Sequence, residues 1–143
     1  MSAAAWRLAQ QAVQASGWVD ANAQASPSAP WRDEAHWRVL DCGADWVWRL
    51  LWTWQLWRQD PRGPMALRYD VVCAEALGAC PVGEADVPAE VWPQAQALGG
   101  LWPRVQQGEC LPLNGGALRL QVHTHCTAAA LAQRRASAHT VFA

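Results

Sequence analysis

The order of the predicted elements along this chain indicates an α/β fold built on a parallel sheet. A short apolar run at 37–40 ends in Asp-Cys-Gly, a helical period follows over 46–59, and a second strand-like run lies at 66–73. Strand, turn, helix and strand in this order form a βαβ unit, whose strands are parallel and whose crossover is right-handed. The 143 residues are enough for one such domain with its own core.

The amino-terminal part of the chain is predicted to stand apart from this domain. An alanine-rich helix is expected from Ala3 to Gln14, ended by Gly17. Residues 20–30 are typical of a linker, because they combine small residues and prolines without an apolar period. We therefore expect residues 1–30 to form a helix and a linker, and 31–143 to form the α/β domain.

The helix at 46–59 is unusually rich in tryptophan. Asp45 is a suitable N-cap for it, and the prolines and glycine of 60–64 end it. Its main apolar face, at helical spacing, consists of Val47, Leu50, Leu51, Trp54 and Trp57. Because Trp46, Trp48 and Trp52 cannot all lie on that face, we expect some exposed apolar surface, which is typical of a contact with a partner.

The second half of the chain gives shorter signals, and 74–88 gives no clear pattern. Asn114-Gly115-Gly116 predicts a hairpin turn between strands at 111–113 and 117–123, because Asn and Gly accept positive φ. The other predicted elements are a helix from Ala89 to about Leu98, after which Gly99-Gly100 and Pro103 interrupt the chain, a helix at 127–135, and a buried strand starting at 139.

Composition limits the classes of function. With a formal charge of −1, the chain lacks the overall basic character that nucleic-acid binding usually requires, although local basic groups occur around Arg58, Arg62 and Arg68 and at Arg134-Arg135. The five cysteines have no CxxC spacing, and the sequence contains neither a signal peptide nor a bilayer-spanning apolar run. We expect free thiols and a cytoplasmic protein that does not contact a membrane.

Two candidate sites follow from local patterns, and each has a simpler structural interpretation. The turn after the first strand contains only Gly43, which by itself is weak evidence for a nucleotide loop. His123, His125 and Cys126 could bind zinc, but no fourth ligand has a recognisable spacing. Cys126 could instead act as a nucleophile, although being next to His125 in the sequence is weak evidence for that. Polar residues at the end of a strand explain them better, so no metal site is predicted.

One family resemblance runs through most of the chain. The segment 39–43, leading into 50–61 with Thr-Trp-Gln-Leu-Trp-Arg-Gln-Asp-Pro, resembles the S-adenosylmethionine-dependent methyltransferase domain of the MnmC family. The likeness continues at Leu67–Tyr69, Trp92-Pro93, Leu101–Pro103, Asn114–Leu120 and Thr140–Phe142. The resemblance implies a partial class I methyltransferase (Rossmann-like) parallel sheet with flanking helices and a hairpin near 111–123, incomplete at its carboxyl end.

The resemblance also implies a chemistry. S-adenosylmethionine would be the cofactor, and the substrate would be a tRNA whose wobble 5-aminomethyl-2-thiouridine receives the methyl group. Nothing in the chain corresponds to the flavin-dependent oxidase domain of the family. The implied cofactor-binding residues are Gly43 with Asp41 and Asp45 beside it, and Glu75 for the ribose; the catalytic residues are unknown, because the family's catalytic segment follows Ala143.

The departures from the family pattern weaken this chemistry. The later glycines of the family's loop fall on Asp45 and Val47, and its ribose-binding acid falls on Cys73, two residues before Glu75. These losses indicate a degenerate enzyme, or pseudo-enzyme, with weak or no activity. The alternative is a non-catalytic interaction module, in which a protein partner or a second copy binds the open sheet edge and the tryptophan-rich helix.

Overall fold

A computed structural model describes residues 2–17 and 30–142. The predicted linker at 20–30 lies outside the described residues except for Pro30. The helices are α1 (Ser2–Ala15), α2 (Trp46–Gln59), α3 (Trp92–Gly100), α4 (Trp102–Gln106) and α5 (Ala128–Ser137), and the strands are β1 (His36–Asp41), β2 (Ala66–Val72), β3 (Leu111–Leu113), β4 (Leu118–His123) and β5 (Thr140–Phe142).

The strands form one five-stranded sheet in the order β3-β4-β2-β1-β5. Parallel pairs join β4 to β2, β2 to β1 and β1 to β5, while β3 and β4 form an antiparallel hairpin. The predicted α/β class, the mostly parallel sheet and the hairpin are therefore confirmed. The turn of the hairpin has positive φ at Asn114, Gly115 and Gly116, as that sequence predicts.

One face of the sheet, which we call the aromatic face, packs against α1 to α4. Trp37, Val39, Tyr69 and Leu120 alternate along the strands and are almost completely buried there. The helices of this layer contact one another through side chains: Trp46 of α2 stacks on Trp102 of α4, and the side-chain amides of Gln94 in α3 and Gln55 in α2 form a hydrogen bond. The core of the protein lies between this face and the helices.

Among residues 2–17 and 30–142, the opposite face, which we call the polar face, is covered by α5. At alternate positions of β1, β2 and β4 it presents polar and charged side chains, and Leu40 is also buried there. These polar and charged residues are Arg38, Arg68, Asp70, Arg119, Gln121 and His123. Thr127 caps α5 by accepting a hydrogen bond from the backbone N–H of Ala130, and no residue of α5 is buried. Hence α5 lies on the polar face without adding a second apolar core.

The expectation of an exposed tryptophan face on α2 was wrong. Trp46, Trp48 and Trp52 are 3%, 5% and 9% exposed, so every side of this helix is covered. Trp6 of α1 stacks on Trp52 at a centroid distance of 4.5 Å, and the Trp52 indole N–H donates to the Trp6 carbonyl. Because α1 packs across α2, the helix offers no apolar surface to a partner.

Two local expectations also need correction. The third helix begins at Trp92 rather than at Ala89 and includes Gly99 and Gly100; the break falls at Leu101, and Pro103 lies in the first turn of α4, where its missing N–H has no cost. Asp45 occupies the N-cap position of α2, but its side chain makes no capping hydrogen bond. The segment 74–88 contains only a short 3-10 turn at Glu84–Asp86.

Candidate functional site

A pocket of about 550 Å³ opens at the carboxyl ends of β1 and β2. In doubly wound α/β proteins, ligands bind outside the carboxyl ends of the parallel strands, and this volume falls in the range of small-molecule sites. Its walls come from the turn after β1 and from the segment after β2, and they include Gly43, Cys73 and Glu75. We call it the carboxyl-edge pocket.

The outer wall of the carboxyl-edge pocket is held by α4. The Trp102 indole N–H donates to the carbonyl of Gly78 at 2.8 Å, and the Gln106 amide donates to the same carbonyl at 3.0 Å. Trp102 also stacks on Trp46, which lines the pocket. Sequence reasoning missed this support, since nothing in the spacing of residues links α4 to a segment without regular structure.

Asp41, at the end of β1, is fully buried and does not line the pocket. Arg49 donates to both of its carboxylate oxygens, each at 2.8 Å. The Tyr69 hydroxyl donates at 2.6 Å and the Gly43 backbone N–H at 2.9 Å. The carboxylate is thereby neutralised and hydrogen-bonded from three sides, as a charge needs when it is removed from water.

Arg49 occupies the space beneath the turn after β1. A Cβ placed on Gly43 would collide with Arg49 Nη2, so any larger residue here would displace the guanidinium group from its position beside Asp41. Burial would lower the pKa of Arg49, but the hydrogen bonds to Asp41 outweigh this effect and raise the pKa. In a nucleotide-binding turn, glycines let the backbone approach a ligand; here Gly43 instead makes room for a side chain of the same protein.

Tyr69 completes this buried group. Burial first, and then the negative charge of Asp41, raise the pKa of Tyr69 well above its usual value. The phenol therefore stays protonated and acts as a hydrogen-bond donor to Asp41. Within the group of Asp41, Arg49 and Tyr69, the carboxylate accepts hydrogen bonds from both other side chains, and Arg49 keeps 14% of its side chain exposed.

The structure brings together only some of the residues that the sequence predicted for cofactor binding. Gly43 and Glu75 line the carboxyl-edge pocket, and Glu75 is exposed there. Asp41 is buried beneath it, in the group just described. Asp45 is exposed and lines a different hollow, together with α1 and Trp48. Cys73 also lines the pocket, and burial raises the pKa of its thiol.

The residues present do not fit S-adenosylmethionine bound in the class I manner. The space under the turn is filled by Arg49, and the Asp41 carboxylate already accepts hydrogen bonds from three residues. Among the residues lining the pocket, Glu75 is the one charged side chain, and no cation faces the place of an amino-acid carboxylate.

The remaining candidates from the sequence are not assembled into sites. His123 bonds to Asp70 at 3.0 Å, whereas Cys126 contacts only the carbonyl of Thr127. Across 2–17 and 30–142, no three His, Cys, Asp or Glu side chains are grouped to hold a metal ion. The five cysteines are unpaired, as expected. None of the helices in these ranges could span a bilayer.

Fold and pocket together define an α/β domain with a pocket at the carboxyl ends of parallel strands. No protein-family profile matches the chain. Among curated proteins, it is similar to the tRNA 5-methylaminomethyl-2-thiouridine biosynthesis bifunctional protein MnmC of Acidovorax sp. (strain JS42), at 29% identity over 118 residues. The match covers 78% of this chain and 18% of that protein, so the chain spans less than a fifth of the relative's length.

Proposed function

We propose that this chain is a degenerate methyltransferase-like domain related to MnmC, which keeps a pocket for a nucleoside but no longer transfers a methyl group. The observation that carries the proposal is the Arg49 guanidinium group beneath Gly43, bonded to Asp41. The order of the four parallel strands, β4-β2-β1-β5, agrees with a Rossmann-like sheet of the class I type. The similarity to a tRNA modification protein suggests the ancestry of the domain.

The pocket supports binding of the nucleoside part alone. Its apolar wall, made by Trp46, Val72 and Leu77, suits a planar base, and Glu75 would accept hydrogen bonds from ribose hydroxyls. Each hydrogen bond to a charged group contributes about 1.5–3 kcal/mol. With Arg49 bonded to Asp41 and Glu75 used by the ribose, no cation in the pocket lining is left for the carboxylate of S-adenosylmethionine, so its amino-acid part should add little affinity.

Isothermal titration calorimetry tests this proposal with adenosine, S-adenosylmethionine and S-adenosylhomocysteine. We expect similar, weak binding of all three, with Kd values above about 100 μM, or binding free energies weaker than about −5.5 kcal/mol. The variant Glu75→Gln should weaken adenosine binding by about tenfold. The matched control Glu84→Gln, which changes an exposed glutamate outside the pocket, should leave binding unchanged.

Two results would reject the proposal. Micromolar binding of S-adenosylmethionine, much tighter than that of adenosine, would show an intact cofactor site, and transfer of labelled methyl groups to bulk tRNA would confirm activity. No heat with any of the three compounds, from a sample shown to be folded, would remove the nucleoside pocket. That second result would leave the interaction module, with a partner on β5, where Val141 is 40% exposed.

A further inference from the structure

Three arginines form a row across the polar face of the sheet. Arg38 of β1 is in register with Arg68 of β2, and Arg68 is in register with Arg119 of β4. Registered residues of neighbouring parallel strands point to the same face, and neighbouring strands lie about 4.8 Å apart. The three side chains therefore leave the sheet side by side, over about 10 Å. We call this set the arginine row.

The positive charge of the arginine row is only partly balanced. Asp70 is the one carboxylate that β1, β2, β4 and α5 place on this face, and it bonds to Arg68 at 2.9 Å and to His123 at 3.0 Å. Within 2–17 and 30–142, the side chains of Arg38 and Arg119 form no hydrogen bond or ion pair. Like charges on neighbouring strands repel each other, so the row lowers stability unless an anion binds it.

The arginine row is also accessible. Arg38 and Arg119 are exposed, and the Arg68 side chain is 37% exposed even though Asp70 and Gln121 hold it. Two shallow hollows, of about 190 and 170 Å³, share Arg38 and Arg68 as lining residues. A ligand can therefore approach the guanidinium groups from solvent on both sides of the row.

We propose that the arginine row binds the phosphodiester backbone of a single-stranded nucleic acid. A guanidinium group donates two parallel hydrogen bonds to phosphate oxygens, and a regular row of such groups suits a polymer with one negative charge on each repeat unit. The surface lies on the polar face, away from the carboxyl-edge pocket. The proposal goes beyond the proposed function and does not depend on it.

Fluorescence anisotropy of the full chain with a fluorescein-labelled oligouridylate tests the proposal at several salt concentrations. At low salt we expect a Kd of about 10–100 μM, and log K should fall with log salt at a slope of about −1.4, because Arg38 and Arg119 each neutralise one phosphate and each contributes about −0.7. The variant Arg38→Gln/Arg119→Gln should bind at least about tenfold more weakly. Its slope of log K against log salt should be less negative by about 1.4.

The control variant Arg7→Gln/Arg104→Gln removes the same charge from exposed arginines of α1 and α4 and should bind like the unmodified protein. Equal losses in both variants would show an effect of net charge only and would overturn the proposal. Unchanged binding by the row variant would do the same. If polyaspartate of equal length displaces the probe as well as unlabelled oligouridylate does, the partner is an acidic protein and the nucleic-acid proposal is wrong. Circular dichroism confirms that each variant is folded.

Discussion

On the aromatic face of the sheet, four helices bury large side chains and the group of Asp41, Arg49 and Tyr69; on the polar face, α5 alone partly covers a set of charged side chains. Asp41 is completely buried and bonded by three residues. Asp70, on the other face, is also buried and is paired with Arg68, with His123 and, at 3.8 Å, with Arg134. Both carboxylates are therefore paired, and the faces differ in what surrounds them: apolar helices around Asp41, and partly exposed arginines around Asp70.

Removing Arg49 tests the aromatic face most severely. The variant Arg49→Met keeps the length of the side chain but leaves the Asp41 carboxylate buried without a cation, which should cost about 3–5 kcal/mol of unfolding free energy. Urea unfolding followed by circular dichroism measures this. Adding Asp41→Asn to Arg49→Met should recover part of the loss, because the uncompensated charge is then gone.

A matched control for this variant lies on the surface of α4. Arg104 pairs with Glu109, and both side chains are about half exposed, so Arg104→Met should cost less than about 1 kcal/mol. If Arg49→Met also cost less than about 1 kcal/mol, the buried group would not hold the turn after β1. The contrast between the two faces would then have no energetic basis.

One leucine from each helix layer sharpens the comparison. Leu50 of α2 is fully buried, so Leu50→Ala should cost about 3–5 kcal/mol through lost transfer energy and a cavity. Leu131 of α5 is half-buried, and Leu131→Ala should cost less than about 1 kcal/mol. Thermal unfolding of the two variants compares them directly, and equal losses would mean that α5 belongs to the core.

Apart from the control variants, Asp70→Asn should lose the least unfolding free energy. Burial would raise the pKa of Asp70, but hydrogen bonds from Arg68 and His123 outweigh it and lower the pKa below its ordinary value. The stabilisation is thus present above the unfolded pKa, near about 3.9, and is lost as the pH falls through the lower pKa of the folded state. Asp70→Asn should cost about 1–2 kcal/mol at neutral pH and little at the acid end.

The unmodified protein is the control for the pH series. It should lose stability between about pH 5 and pH 3 more steeply than Asp70→Asn does. Melting temperatures measured at intervals over that range give the comparison. Parallel curves for the two proteins would mean that Asp70 titrates alike in the folded and unfolded states, against the effect of its two partners.

Much of the fold could be predicted because the apolar pattern changes its period where the elements change. The burial of α2 on every side could not be predicted, because Trp52 is covered by Trp6, which precedes it by 46 residues. A helical period shows which residues share a side of a helix. It does not show how many neighbours that helix has, and here α1 and α4 cover the sides that an isolated βαβ unit leaves open.

The candidate site was predicted in part. Gly43 and Glu75 meet because neighbouring parallel strands end at the same edge, which follows from the order of the elements. The role of Arg49 was missed, although a signal existed: it is the one charged residue in the apolar run 46–57, eight residues after an acid that ends a buried strand. The register of the arginine row depends on strand pairing, which one sequence does not reveal.

The turn after β1 makes the substitution of three residues interdependent. A side chain at position 43 would displace the Arg49 guanidinium group, and loss of Arg49 would leave Asp41 buried and charged. Substituting Asp41 first would leave the Arg49 guanidinium group, which is 14% exposed, without its anion. Each single substitution therefore lowers the stability of the protein, whereas a joint substitution of Asp41 and Arg49 removes both charges at once. These positions are expected to change together rather than one at a time.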